Sequence, residues 1–312
     1  MISIIIVNYN GKHFLENCLY SISNQTYKYF EVILVDNASS DGSAAYIKHY
    51  YPWVRLIQRD FNSGFAGGVN QGIKKAKGKY ILTLNNDTTL HPQFLEKMLE
   101  CIESDEKVGF CASKMVYPDG RINSTGICVS RSGAAWDRGM MEHDDGKYDE
   151  MKEVFGPCAG AALYRKEMLD EIGFFDTDFF LYFEDVDIAF RARLAGWRCL
   201  YTPYARATHL HGGTAGIGSD VAIYYGNRNT LWCAIKNFPL KLLVISLPWI
   251  VGRNIAIIPY YSVKGKGRII LKAKASALKG LFKTIKKRQR YDARNCRNLE
   301  RFINKWCRVK ST

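Results

Sequence analysis

Glu31-Val32-Ile33-Leu34-Val35-Asp36-Asn37-Ala38-Ser39-Ser40-Asp41-Gly42-Ser43 decides the fold: a short, β-branched apolar run stops on an acid and passes at once into turn formers. Such a run is a strand covered on both faces, as parallel sheets require. The polar cluster then lies at the strand's carboxyl end, the edge where open α/β sheets bind ligands. Working outward, the pattern recurs. Ser3-Ile4-Ile5-Ile6-Val7 runs into Asn8-Tyr9-Asn10, and Tyr80-Ile81-Leu82-Thr83-Leu84 runs into Asn85-Asn86-Asp87. Between them, Phe14, Cys18 and Ile22 repeat at i, i+4, i+8 beside Leu15 and Leu19, the stripe of a helix packed on a sheet. A short helix over 44–50, a strand over 54–58 and a Gly-rich loop leading into a helix over 64–77 complete the alternation. This spacing predicts an α/β layer architecture with a mostly parallel sheet.

Beyond residue 105 the alternation fades. Strands are expected over 108–116, 122–129, 159–164 and 198–201, an exposed polar loop over 138–153, and a helix opening at 181–187 and running to about 195, where Gly196 caps it. Residues 240–261 are apolar, but Pro248, Arg253 and Pro259 interrupt them, so the unbroken run falls short of the ~20 residues a bilayer needs. After that the chain turns basic, with Ile269, Ile270, Leu271, Leu278, Leu281, Phe282 and Ile285 spaced for one helix face.

The 312 residues are 47% apolar and 24% charged, which excludes disorder, collagen and a small disulfide scaffold. Nine scattered cysteines with no C-x-x-C pair point to a reduced, cytoplasmic compartment. Met1 to Val7 lack a positive n-region and read as a first strand, not a secretory leader. The net charge of +14 is concentrated: from Lys264 onward there are 17 Lys/Arg against 2 Asp/Glu, leaving 27 against 28 before it. A dedicated contact of the C-terminal segment with something anionic follows, and a domain-wide nucleic-acid surface does not. Aromatic residues are sparse after Tyr261, so base stacking has little support and no nucleic-acid partner is expected.

Five constellations carry chemistry. Asp36 and Asp41 can accept hydrogen bonds from a base or a ribose, or merely form Asx-turns and cap the next helix. Asn62-Ser63-Gly64-Phe65-Ala66-Gly67-Gly68-Val69-Asn70 brings small residues to a helix N-terminus, which suits a phosphate or a sugar hydroxyl, or tight helix packing. Asp87, after Asn85 and Asn86, offers one carboxylate toward a diphosphate-bound divalent cation, or merely sits in a turn with a buried helix cap. Glu184-Asp185-x-Asp187 puts three acids at one helix start, where mutual repulsion can leave one proton-hungry, as a general base requires. The structural alternative is a well-capped helix with an Asp187–Arg191 pair. His209 and His211 could face one ion if their segment is a strand.

In their order these pieces resemble the family 2 glycosyltransferases, inverting nucleotide-sugar-dependent enzymes of the GT-A fold, and most of all their rhamnosyltransferase-like members. The match also includes Gly160-Ala161-Ala162-Leu163-Tyr164-Arg165 and Tyr225-Gly226-Asn227-Arg228-Asn229 and spans residues 2 to about 235. The resemblance implies a catalytic domain over 1–235, with a nucleotide-binding half (1–105) and an acceptor-binding half (106–235), followed by an apolar then basic helical extension over 236–312. It implies that Asp36 reads a uracil or thymine ring, with Asp41 nearby and Asn8 and Asn10 flanking the nucleotide. Asn62, Gly64, Asn70, Asn85 and Asn86 would complete the donor site. Asp87 and His209 would hold Mg2+ or Mn2+, and Asp185 would be the catalytic base supported by Glu184 and Asp187. The implied partners are a nucleotide-sugar donor, UDP- or dTDP-linked with rhamnose as the guess, and a saccharide or lipid-linked saccharide acceptor of cell-envelope synthesis. The basic extension would rest on an anionic membrane surface, making the enzyme peripheral on the cytoplasmic face. A sugar nucleotidyltransferase and a non-catalytic membrane- or polyanion-binding protein are the competing readings.

Overall fold

The computed structural model describes residues 1–210, 216, 218–289 and 293–304. In chain order its elements are β1 (Ile2–Asn8), α1 (Lys12–Ser23), β2 (Phe30–Asp36), α2 (Ser43–Tyr50), β3 (Arg55–Gln58), α3 (Gly64–Lys75), β4 (Tyr80–Asn85), β5 (Thr88–Leu90), α4 (Phe94–Glu103), β6 (Val108–Val116), β7 (Ile122–Ser124), β8 (Ile127–Val129), β9 (Ala135–Asp137), β10 (Lys152–Val154), β11 (Ala161–Arg165), α5 (Lys166–Ile172), α6 (Glu184–Leu194), β12 (Arg198–His209), α7 (Asp220–Asn237), α8 (Leu240–Val263), α9 (Gly267–Lys279), α10 (Leu281–Lys286) and α11 (Ala293–Asn304). The expected α/β architecture with a helical C-terminal region is present. One sheet runs β10-β12-β6-β11-β4-β1-β2-β3, with β5 on β12 and β7 on β6.

The strands from β4 to β3 are all parallel, in register Val7↔Val35 and Ile6↔Leu84. The other half is mixed, because β11 runs antiparallel to both β4 and β6. Strand order reverses beside β1: the chain winds outward through β2 and β3, then returns to its other side at β4. Asn8 and the Asn85-Asn86-Asp87 corner therefore meet at the crevice that such a reversal opens. Alternation along β1 separates two cores, with Ile5 facing Val69, Ile73 and Phe110 and with Ile4 and Ile6 facing Leu15, Leu19 and Phe94. Gly68 and Gly72 of α3 lie so close to Val7 and Ile5 that a Cβ would collide with them, so packing accounts for those two glycines.

Several expectations are corrected. The strand read over 122–129 is two strands, broken where Gly126 takes φ +115. The strand read over 198–201 continues to His209, held between β6 and β5. The polar stretch over 138–153 is exposed for the most part, but it inserts Tyr148 into the core, and its Asp144 and Asp149 pair with the buried Lys114. Residues 240–261 are not broken: α8 runs 24 residues through Pro248 and Pro259, both on its exposed side. By length and composition, with mean hydropathy 1.7, that helix is long and apolar enough to cross a membrane. The apolar residues read as one face after 264 divide, because α9 buries Ile270 while Leu271, Leu278, Phe282 and Ile285 stay exposed. His211 lies outside the described residues.

Candidate active site

At the carboxyl ends of β1, β2 and β4 one side chain ties three loops together. Asn8, fully buried at the end of β1, donates from Nδ2 to Asp36 Oδ1 and to Ser39 Oγ, both at 3.1 Å, and accepts from Asn86 Nδ2 at 2.7 Å. The other oxygen of Asp36 accepts the Ser39 N–H at 3.1 Å, so the buried carboxylate is held at both oxygens. Asn10 takes a left-handed φ of 52°, and its Oδ1 accepts the Ser40 N–H at 2.8 Å. Asp41 accepts the Lys12 and Ser43 N–H groups. Burial pushes its pKa up, but these bonds and the Ser43 hydroxyl outweigh it and hold the carboxyl below the usual range.

The Asn62 segment also reaches across the site. Asn62 Oδ1 accepts the Gly64 N–H at 2.8 Å, and Asn37 Nδ2 donates to the Gly64 carbonyl at 2.9 Å. Gly64 has φ +72 and touches the Phe180 carbonyl and ring, so both conformation and contact require a glycine there. Asn70 exchanges two hydrogen bonds with the Phe175 backbone, at 2.7 and 3.0 Å, and so fastens α3 to the segment before α6.

Asp87 and His209 lie side by side. His209 Nε2 lies 3.1 Å from Asp87 Oδ1 and 3.3 Å from Asn85 Nδ2, while Nδ1 lies 3.0 Å from Asn123 Oδ1. An amide oxygen at Nδ1 favours the proton there, which turns the Nε2 lone pair toward the carboxylate and the amide N–H of Asn85. A carboxylate and an imidazole nitrogen aimed at one point fit a divalent cation that takes its other ligands from phosphate and water. Among the described residues no group of three His, Cys, Asp or Glu gathers in that way.

Asn85, Asn123, Asp137, Glu184, Asp185 and His209 line one cavity of about 280 Å³, floored by Phe65, Ile127 and Trp136. The three acids of α6 have separate roles. Asp187 is fully buried and holds Arg191 Nε at 2.9 Å, Lys236 Nζ at 2.8 Å and Asn237 Nδ2 at 2.8 Å. Burial alone would raise its pKa, but Arg191 and Lys236 prevail and hold it low. Among the described residues Asp185 has backbone partners alone, the Ala159 N–H at 3.3 Å and the Val186 N–H at 2.8 Å. Burial, and then the charge of Asp137, push its pKa up to about 6. Burial and the Asp185 charge push the Glu184 carboxyl to about 8, so at neutral pH it is chiefly the uncharged acid.

The segment leading into α6 is strained. Phe180, Tyr182 and Phe183 all have φ between 64° and 72°. Side chains with a Cβ avoid that region unless the surroundings over-determine it. Here Asn229 Nδ2 donates to the Phe179, Leu181 and Tyr182 carbonyls at 2.9, 2.9 and 2.7 Å, and Arg228 Nη2 to those of Asp178 and Phe179. The Arg228 guanidinium is itself stacked on Tyr225 and Trp232, while Phe180 stacks on Tyr225. Helix α7 thus sets the loop from which Asp185 projects, and its Lys236 and Asn237 fix Asp187.

Sequence reasoning missed Asp137 and Asn123. Both lie in short strands between residues 122 and 137, a stretch with no turn-to-helix signature, and the topology folds them over the cavity. The positioning role of Arg228 and Asn229 carried a clearer sign, since these two polar side chains stand together in a helix whose next turn, Leu231-Trp232-Cys233-Ala234-Ile235, is apolar.

The family described as Glycosyl transferase family 2 matches residues 3–173, more than half of the chain. The chain belongs to glycosyl transferase family 2. Among its relatives in that family, an uncharacterized glycosyltransferase, YwdF, of Bacillus subtilis is 33% identical over 61% of this chain and 67% of its own length. An N-acetylglucosaminyl-diphospho-decaprenol L-rhamnosyltransferase of Mycobacterium tuberculosis is 25% identical over 69% of this chain and 78% of its own. Of the solved structures, a mannosyltransferase of Pyrobaculum calidifontis in complex with GDP-Man and Mn2+ aligns with TM-score 0.56 and 16% identity over 89% of this chain and 86% of its own. GalNAc-T7 with UDP, GalNAc and Mn2+ aligns with TM-score 0.64 and 15% identity over 92% of this chain and 56% of its own. These likenesses give this family 2 member the GT-A fold.

Proposed function

We propose that the chain transfers a sugar, with inversion, from a UDP- or dTDP-linked donor to a hydroxyl of a saccharide or lipid-linked saccharide during cell-surface polysaccharide synthesis. The observation that carries the reading is Asp185: a carboxylate with only backbone partners among the described residues, poised at about 6, lining the same cavity as Asn85 and His209. A base with that pKa is ionised at neutral pH and still able to take a proton from an alcohol. Asp36, held by Asn8 and Ser39, would accept from the N–H edge of the pyrimidine. Asp87 and His209 would hold Mg2+ or Mn2+, which when bound neutralises the charge developing on the diphosphate. Asp185 Oδ would receive the acceptor's proton, a contribution of roughly 10²–10⁴-fold. Glu184, uncharged, adds no second negative charge beside it, and Asp187 anchors the start of α6 through Arg191 and Lys236.

The acceptor class is supported by the named activity of the mycobacterial relative, which acts on a diphospho-decaprenol-linked sugar. The exposed apolar side of α8 and the +15 segment after it support a peripheral position on the cytoplasmic face of a membrane, where anionic lipid contributes ~1 kcal/mol per nearby Lys or Arg. The test is a panel of nucleotide sugars given to the purified chain with and without Mg2+ or Mn2+. Release of free nucleoside diphosphate together with a glycosylated acceptor is expected. Release of pyrophosphate would identify a sugar nucleotidyltransferase, and no turnover on any donor would leave a binding protein.

A further inference from the structure

Helix α8 is built with its polarity reversed. From Leu243 to Pro259 its side chains that carry hydrogen-bonding groups, apart from the Trp249 indole, are Ser246, Arg253 and Asn254, and all three turn inward toward the protein. Its outer side presents Val244, Leu247, Val251 and Ile255 to the surroundings. A helix on a water-facing surface does the opposite, whereas one beside lipid keeps its ionisable groups on the protein side.

On that inner side Asn254 Oδ1 accepts from Lys274 Nζ of α9 at 2.6 Å, and Lys274 also reaches the Asn227 carbonyl of α7 at 3.5 Å. Burial, and then the nearby Arg253, lower the Lys274 ammonium to a pKa of about 8. Arg253 Nη1 is buried and has no hydrogen-bond partner among the described residues. Among the described residues the buried lysines, Lys114 and Lys236, each hold two carboxylates. Arg253 and Lys274 share one junction and hold none among the described residues. Both are half-buried; holding two like charges there without a counter-ion is costly, and an anion bound between them removes that cost.

We propose that Arg253 and Lys274, at the junction of α7, α8 and α9, form a binding site for the phosphate monoester or diphosphate headgroup of a lipid whose chain lies along the outer side of α8. Phosphate offers the multiple oxygens that a guanidinium and an ammonium together satisfy. The site is one helix from the catalytic cavity, since Gly226, next to Asn227 in α7, lines that cavity. The inference deepens the proposed function and rests on it for the acceptor's class, but the binding measurement requires no sugar transfer, so its failure leaves that function standing.

The experiment uses the full chain and vesicles of phosphatidylcholine doped with phosphatidic acid, a monoester, or with phosphatidylglycerol, a diester, at salt high enough to screen the exposed lysines. Wild type should prefer the phosphatidic acid vesicles, and Arg253→Gln and Lys274→Gln should each reduce that preference by about tenfold or more. Both variants should keep wild-type binding to phosphatidylglycerol vesicles, which also reports a folded chain, and Lys274→Arg should keep the preference. Calorimetry with pyrophosphate alone separates the sources. Pyrophosphate binding that depends on Arg253, without any vesicle preference, overturns the lipid assignment in favour of a free phosphate ligand. An unchanged preference in both Gln variants, or neither a monoester preference nor pyrophosphate binding in wild type, overturns the site.

Discussion

Replacing Asp185 by Asn tests two consequences of one environment. Its carboxyl is raised from 3.8 to about 6 by burial and by Asp137. At pH 7 such a group is about 90% ionised and at pH 5 about 10%, so the wild-type rate should fall roughly tenfold over that interval. Asp185→Asn cannot take the acceptor's proton and should lose roughly 10²–10⁴ in turnover. The same shift has a stability consequence of opposite sign. A carboxyl whose pKa is raised on folding opposes folding when both states are ionised, a cost of roughly 2–3 kcal/mol above pH 6 that fades as the pH drops toward 4. The Asn variant should therefore melt higher than wild type at pH 8 and nearly equal to it at pH 4. Asp137→Asn removes the second cause of the shift, so the acid limb of its rate profile should move to lower pH. Initial rates of nucleoside diphosphate release between pH 4.5 and 8.5, with thermal melts in the same buffers, give all four readings. A variant within about tenfold of wild-type rate would remove Asp185 as the base, and a lower melting temperature at pH 8 would refute its unfavourable burial.

Asn229→Ala withdraws three hydrogen bonds from a strained segment and should cost about 2–4 kcal/mol of stability in denaturant unfolding, with a fall in kcat larger than any rise in KM, because the donor loops are untouched. His209→Ala should raise the Mn2+ concentration needed for half-maximal rate by roughly tenfold or more while leaving nucleotide binding in chelator unchanged; equal Mn2+ curves would detach His209 from the ion. Gly64→Ala sets a methyl against the Phe180 carbonyl in a left-handed backbone, and should lower stability by more than about 1 kcal/mol, measured by thermal melting.

The parallel half of the sheet was legible because its strands are unmistakable apolar runs, three of which end on a candidate site residue: Asn8 closes β1, Asp36 closes β2 and Asn85 closes β4. The acids of α6 were legible for a related reason, since a charged triplet after six aromatics has few structural explanations. What separated Asp187 from Asp185 was not local. Lys236 and Asn237 lie some fifty positions away, and only the docking of α7 beside α6 assigns one acid to an ion pair and leaves the other facing the cavity. Asp137 and Asn123 escaped because hairpins of three-residue strands carry no periodicity to read. The prolines of α8 misled for a physical reason: each removes one N–H from a helix, yet the helix continues when its inner side is buried, as it is at Leu242, Ser246 and Ile250.

Asn8 has a practical consequence for anyone redesigning donor choice. Because one amide joins the Asp36 carboxylate, the Ser39 hydroxyl and the Asn86 amide, three loops far apart in the chain share a single rivet. Grafting the 36–43 loop from an enzyme with a different sugar nucleotide would leave that rivet mismatched, and the foreign loop would settle in a new pose. Chimeras that carry over the ends of the first, second and fourth strands as one block should keep their parent's preference, and single-loop swaps should yield inactive or unselective proteins.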